Sequence, residues 1–108
     1  MKYLINFLEA DSVTETEVYS QLKCGEEEAK VLQLLAKKFI GGNEDMLVVD
    51  ILQTLYGEKN YTYIRHLGLI KTLLELGWVT QHSFTPMKIS EMTELELLNT
   101  AIALTPSF

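Results

Sequence analysis

Cys24, His66 and His82 are the side chains of this chain with the chemistry of a nucleophile and its base. A thiol beside an imidazole can be deprotonated for attack, and a cysteine with two histidines begins a metal ligand set. Their spacing requires neither. The histidines do not stand one helical turn apart, no second cysteine supports them, and Cys24 at a helix boundary reads as a small, half-buried residue. The double glycine Gly41-Gly42 is not followed by Lys-Ser or Lys-Thr, so no phosphate-cradling loop is present. Fifteen acidic residues make carboxylate pairs frequent, and a pair carries meaning only in a pocket. No catalytic, cofactor-binding or metal-ligating residue is assigned from the sequence.

Recognition is better served. Tyr56, Tyr61, Tyr63 and Trp78 surround the stretch from Met46 to Ser83. Tyr63 and Trp78 read as core, burying a ring and leaving a polar tip wet. Tyr61 and Arg65 read equally as packing or as contact anchors, the roles in which Tyr and Arg are enriched. The candidate partner-binding face comprises Tyr61, Thr62, Arg65, His66, Leu69 and His82.

The elements that position these residues follow from apolar spacing and punctuation. Lys2 to Ala10 has helical spacing at Leu4, Phe7 and Leu8. Two overlapping capping boxes, Ser12 with Glu15 and Thr14 with Glu17, open a short second helix bearing Val18, Tyr19 and Leu22, which Gly25 ends or separates from the next. Glu26-Glu27-Glu28 begins a third helix, where the carboxylates complement the helix dipole as a solvated start. Its expected buried stripe is Val31, Leu32, Leu35 and Phe39, and Gly41-Gly42 terminates it.

Asn43-Glu44-Asp45 is expected to cap a fourth helix with Val48, Ile51, Leu52 and Leu55 on one face, closed by Gly57. Asn60 caps a fifth, with Tyr63, Leu67, Ile70 and Leu74 inward. Thr62, Arg65, Leu69 and Thr72 face out, and Tyr61 and His66 lie toward the flanks. Gly68 costs this helix about 1 kcal/mol relative to Ala; close approach of another helix is one use for it. Gly77 ends the helix. Trp78 to Ser83 and Thr100 to Leu104 read as paired strands, separated by a loop with Pro86 and a short helix capped by Thr93 and Glu96. The expected fold is mainly α with a small β-hairpin, a winged helix-turn-helix-like domain over 26–108 with an N-terminal helical extension over 1–25. Thr105-Pro106 is a good helix start, so a longer protein is expected to continue beyond Phe108.

At 108 residues and 47% hydrophobic the chain is large enough for a core without metal or disulfides. The lone cysteine suits a reducing cytoplasm. No apolar run reaches the roughly 20 residues that span a bilayer, and no signal-peptide pattern opens the chain. The net charge of −6 is uneven. Residues 1–56 hold ten acidic and five basic side chains, whereas 57–78 hold two acidic and three basic ones. Three cations on an acidic body make a weak footprint for phosphate.

From Ala29 onward the chain resembles the winged-helix-like domain that precedes the ATPase module in a group of bacterial AAA-family ATPases. Ala29-Lys30-Val31-Leu32-Gln33-Leu34-Leu35-Ala36 is similar to that domain's first Leu/Ala-rich helix. Leu73-Leu74-Glu75-Leu76-Gly77-Trp78-Val79 is similar to its recognition-helix end and first wing strand. Ile102-Ala103-Leu104-Thr105-Pro106-Ser107-Phe108 is similar to the second wing strand and the helix leading to the ATPase. The resemblance implies a non-catalytic, cytoplasmic N-terminal module that docks a protein substrate or partner, with ATP bound only by a downstream module. No nucleotide-binding motif is present here, so no catalytic residue carries over.

The main alternative is a DNA-binding winged-helix regulator, reading duplex DNA with Lys59, Thr62, Arg65, Lys71 and Thr72. An enzyme remains a third reading. A structural or dimerisation domain pairing through Leu4, Phe7 and Leu8 is a further one.

Overall fold

The computed structural model describes residues 2–82 and 91–105, with side chains from Ile5 onward. Six α-helices, two 3-10 segments and three short strands follow one another within them. They are α1 (Lys2–Glu9), a 3-10 turn (Val13–Glu15), α2 (Glu17–Leu22), α3 (Glu26–Ile40), β1 (Met46–Leu47) and α4 (Val48–Tyr56). A longer 3-10 segment (Lys59–His66), α5 (Leu67–Leu76), β2 (Val79–Gln81), α6 (Glu94–Leu98) and β3 (Ala101–Leu104) complete the order. The fold is mainly helical with one small antiparallel sheet, in strand order β1-β3-β2.

The sheet forms because β3 lies between two partners. Met46 faces Ile102 on one side, and Gln81 faces Ile102 on the other. Ile102 is fully buried, so both outer strands close over one core residue. β1 was hidden in the sequence: Asn43-Glu44-Asp45 does not cap α4. The strand intervenes, and Leu47 is the residue preceding the helix, with no side-chain cap. Two residues are too few for an alternating pattern to register. The strand from Trp78 is regular at Val79–Gln81; Ser83, the Pro86 loop and the helix start at Pro106–Phe108 lie outside the described residues. Thr93 and Glu96 do form a reciprocal capping box on α6.

The core joins Phe7, Val13 and Leu22 of the N-terminal elements to Leu32, Ile51, Ile70 and Leu97. Phe7 is fully buried and Leu8 packs against the core, so this side of α1 is spent inside the domain rather than left for pairing. Gln33 secures α1 from below, its amide donating to the carbonyls of Phe7 (2.7 Å) and Ala10 (3.0 Å). Those are orphan acceptors at a helix C-terminus. Trp78 ties the far end in: its indole N–H donates to the Leu22 carbonyl at 2.9 Å.

Several local expectations change. The Ser12 and Thr14 boxes are replaced by a 3-10 turn, and Thr16 caps α2 by accepting from the Tyr19 N–H at 3.3 Å. Lys23, in the left-handed region, ends α2, while Gly25 precedes α3. On α3 the stripe is Ala29, Val31, Leu32, Leu35 and Ala36; Phe39 is exposed because the helix runs past the core in its last turn. Leu73 takes the fully buried place expected of Leu74, which is only partly buried.

Candidate functional site

The turn between α4 and α5 determines what the candidate face presents. Gly57 closes α4 at φ +80°, its N–H on the Gln53 carbonyl at 2.8 Å. Asn60 does not cap a continuous helix. Asn60 (φ +59°) and Tyr61 (φ +57°) both adopt left-handed backbone, and regular α-helix begins only at Leu67. Asn enters that region readily, whereas a bulky residue there is strained. The kink throws Tyr61 outward, leaving it 71% exposed with its ring tilted against the buried Tyr63 at 6.4 Å. Tyr61 is therefore an exposed aromatic braced by the core.

Beyond Tyr61 the face continues through Thr62, Arg65 and Gly68, all exposed. The Thr62 hydroxyl donates to the Lys59 carbonyl at 3.2 Å and that of Thr72 to the Gly68 carbonyl at 3.0 Å. Lys59, Arg65 and Lys71 are exposed and make no ion pair with the described residues. Leu69 is half-buried rather than fully outward. Gly68 is informative because a Cβ built there would meet nothing within 4 Å among the described residues. No neighbour among the described residues requires the glycine.

His66 departs from the face. It turns inward, half-buried, and stacks on Tyr56 with ring centroids 3.6 Å apart and planes at 6°. Its Nδ1 lies 4.0 Å from Glu27 on the first turn of α3. Burial, then the carboxylates of Glu27 and Glu28, push the Tyr56 hydroxyl up to about 12. That hydroxyl is buried with no hydrogen-bond partner among the described residues. His82 departs as well. Its Nδ1 pairs with the Asp45 carboxylate, reaching from the end of β2 past β3 to the residue before β1. Of the six candidates, Tyr61, Thr62, Arg65 and part of Leu69 share one surface, while His66 and His82 are engaged elsewhere.

The nucleophile and base of the sequence are not assembled among the described residues: no hydrogen bond joins Cys24 to His66 or His82. Burial and the nearby Glu28 carboxylate raise the Cys24 thiol above its ordinary range. No three His, Cys, Asp or Glu side chains converge for a metal among the described residues. A surface depression of about 540 Å³ lies by Asn6, Asp11, Glu15 and Glu17, away from the candidate face. No helix among the described residues is long and apolar enough to cross a membrane.

The sequence missed the Tyr56–His66 stack, the Asp45–His82 pair and the vacancy over Gly68. The first two depend on tertiary placement. The third was half-visible, since an interior helical glycine always asks for a reason. Comparison with protein-family models, with curated proteins and with solved structures found no match.

Proposed function

We propose that the chain is a winged helix-turn-helix docking module that recognises a protein partner through the face of Tyr61, Thr62, Arg65 and Gly68. The carrying observation is Tyr61: a large aromatic side chain held 71% exposed by two consecutive left-handed residues and braced on Tyr63. Strained backbone that presents a ring to solvent has no use in the domain's own packing and a clear one as a contact anchor. Arg65, exposed and without an ion pair among the described residues, is the other residue type that anchors interfaces.

The order α3-β1-α4-α5-β2-α6-β3, with β3 central in the sheet, supports the winged-helix reading. The resemblance to the N-terminal domain of bacterial AAA-family ATPases supports reading the module as a non-catalytic part of a cytoplasmic ATPase. A nucleotide-binding loop encoded downstream of Phe108 tests that attribution; its absence from the gene overturns it.

The docking face is tested by quantitative capture of the cellular partner with the wild type and with Tyr61→Ala and Arg65→Ala variants of matched stability. Loss of affinity by tenfold or more is expected for each, the scale of a central anchor. Equal capture by all three overturns the choice of face. Salt-dependent binding of generic duplex DNA that needs Arg65 and Lys71 would instead identify a DNA-binding regulator.

A further inference from the structure

The two most exposed large hydrophobic side chains among the described residues are Leu95 (72%) and Tyr61 (71%). They sit in surroundings of opposite charge. Tyr61 lies with Lys59 and Arg65, both exposed and without an ion-pair partner among the described residues. Leu95 lies on α6 among Glu91, Glu94 and Glu96, all exposed, and residues 91–105 include no Lys or Arg. Glu96 is occupied in the capping box, but Glu91 and Glu94 make no ion pair with the described residues. Leu97 and Leu98 supply the buried side of α6, so the fold itself has no use for Leu95.

We propose that the docking face of one molecule receives the α6 edge of a second copy of this chain, with Leu95 against Tyr61 and the Glu91 and Glu94 carboxylates on Arg65 and Lys59. The inference rests on the docking reading of the Tyr61 face and names its occupant. Charge complementarity chooses a second copy: the acidic, leucine-bearing segment that this face would bind is carried by the same chain. Gly68, with no Cβ in the way, admits a close approach of that segment to α5.

Two chains of net charge −6 repel at long range, but at physiological ionic strength that repulsion is screened beyond about 8 Å while contact pairs persist. The patches are small beside a standard interface, so the association is weak and concentration-dependent. Each copy carries both halves of the contact. The halves can therefore be broken separately, one per variant.

The test is sedimentation of the whole chain from about 10 μM to about 1 mM, a range suited to a contact below standard interface size. One variant carries Tyr61→Ala with Arg65→Glu; the other carries Glu94→Lys with Leu95→Ala. Thermal unfolding confirms that both are folded, since all four positions are exposed. The weight-average mass of the wild type should rise from 12.3 kDa toward twice that value. Each variant alone should stay monomeric, and their mixture should form a one-to-one pair through the half each retains. A wild type that stays monomeric throughout overturns the proposal, as do variants that associate like the wild type. A mixture that fails to pair does so too. Partner capture that depends on Tyr61 and Arg65 but not on Glu94 and Leu95 would leave the docking reading standing and remove only this occupant.

Discussion

The imidazole of His66 lies flat on the ring of Tyr56, 3.6 Å between centroids, and so joins the end of α4 to the segment that leads into α5. The same imidazole approaches Glu27, which brings the start of α3 to the junction. Three helices meet through one aromatic stack, whose phenol has no hydrogen-bond partner for its buried hydroxyl among the described residues. An unpaired buried hydroxyl costs about 1–3 kcal/mol. Tyr56→Phe keeps the stack and removes that cost, so it should leave the domain as stable or more stable in denaturant unfolding. A loss of more than about 1 kcal/mol would mean that the hydroxyl has a partner.

The same residue sets an alkaline limit. Its hydroxyl is raised to about 12 from an ordinary value near 10. The folded chain thus holds this proton more tightly than the unfolded chain does. The corresponding stability is present below about pH 10 and is lost as pH rises from there through about 12. Spectroscopic titration should find a late tyrosine ionisation, and Tyr56→Phe should remove that step. Identical late titration in the variant would assign the step to another residue.

Gly68→Ala separates folding from docking. On the exposed side of α5 an alanine meets no described neighbour and should stabilise the helix by about 0.5–1 kcal/mol. In thermal melts that corresponds to a rise of several degrees, at about 4–8 °C per kcal/mol for a domain near this size. If a partner backbone crosses here, affinity should fall in the same variant. Higher stability with unchanged binding would show that the docked segment keeps its distance from α5.

The Asp45–His82 pair ties the two outer strands past the central one. Both side chains are partly exposed, so removing either should cost no more than about 1 kcal/mol. The informative quantity is coupling. Asp45→Ala and His82→Ala combined should cost less than the sum of the single changes, whereas strict additivity would show that the pair contributes nothing.

Gln33→Ala should be costlier than its position on a helix implies. It removes the two hydrogen bonds that the amide donates to the Phe7 and Ala10 carbonyls. About 1–3 kcal/mol is expected in chemical unfolding, with the N-terminal amides losing protection first in hydrogen exchange.

Helices with strong periodicity and clear terminators were legible in the sequence. The inward spacing of Val48, Ile51 and Leu52 and the stop at Gly77 follow from local chemistry that the tertiary fold respects. Misreadings arose where local signals competed. Ser12, Thr14 and Thr16 all offer a capping oxygen within one turn, and packing of Val13 into the core selects Thr16. Asn60 is equally good as a cap and as a left-handed residue, and here it takes the second role. One helical wheel through Thr62 to Thr72 puts Arg65 on the outward face and Tyr61 and His66 on its flanks. The kink breaks that wheel, so the face inherits Tyr61 and loses His66. Residue type alone points to Tyr61, whereas residue type and helical phase together point to Arg65.

Trp78 is the chain's single tryptophan, and its indole is bonded to a carbonyl fifty-six positions earlier. That gives the domain an intrinsic optical reporter of non-local order. Contacts of such sequence separation close late in folding, because the loop between them must be ordered first. Tryptophan emission therefore follows the moment when the amino-terminal helices dock onto the strand end. Ellipticity from α3 to α5 can develop before it, and a lag between the two signals would time the last step of assembly.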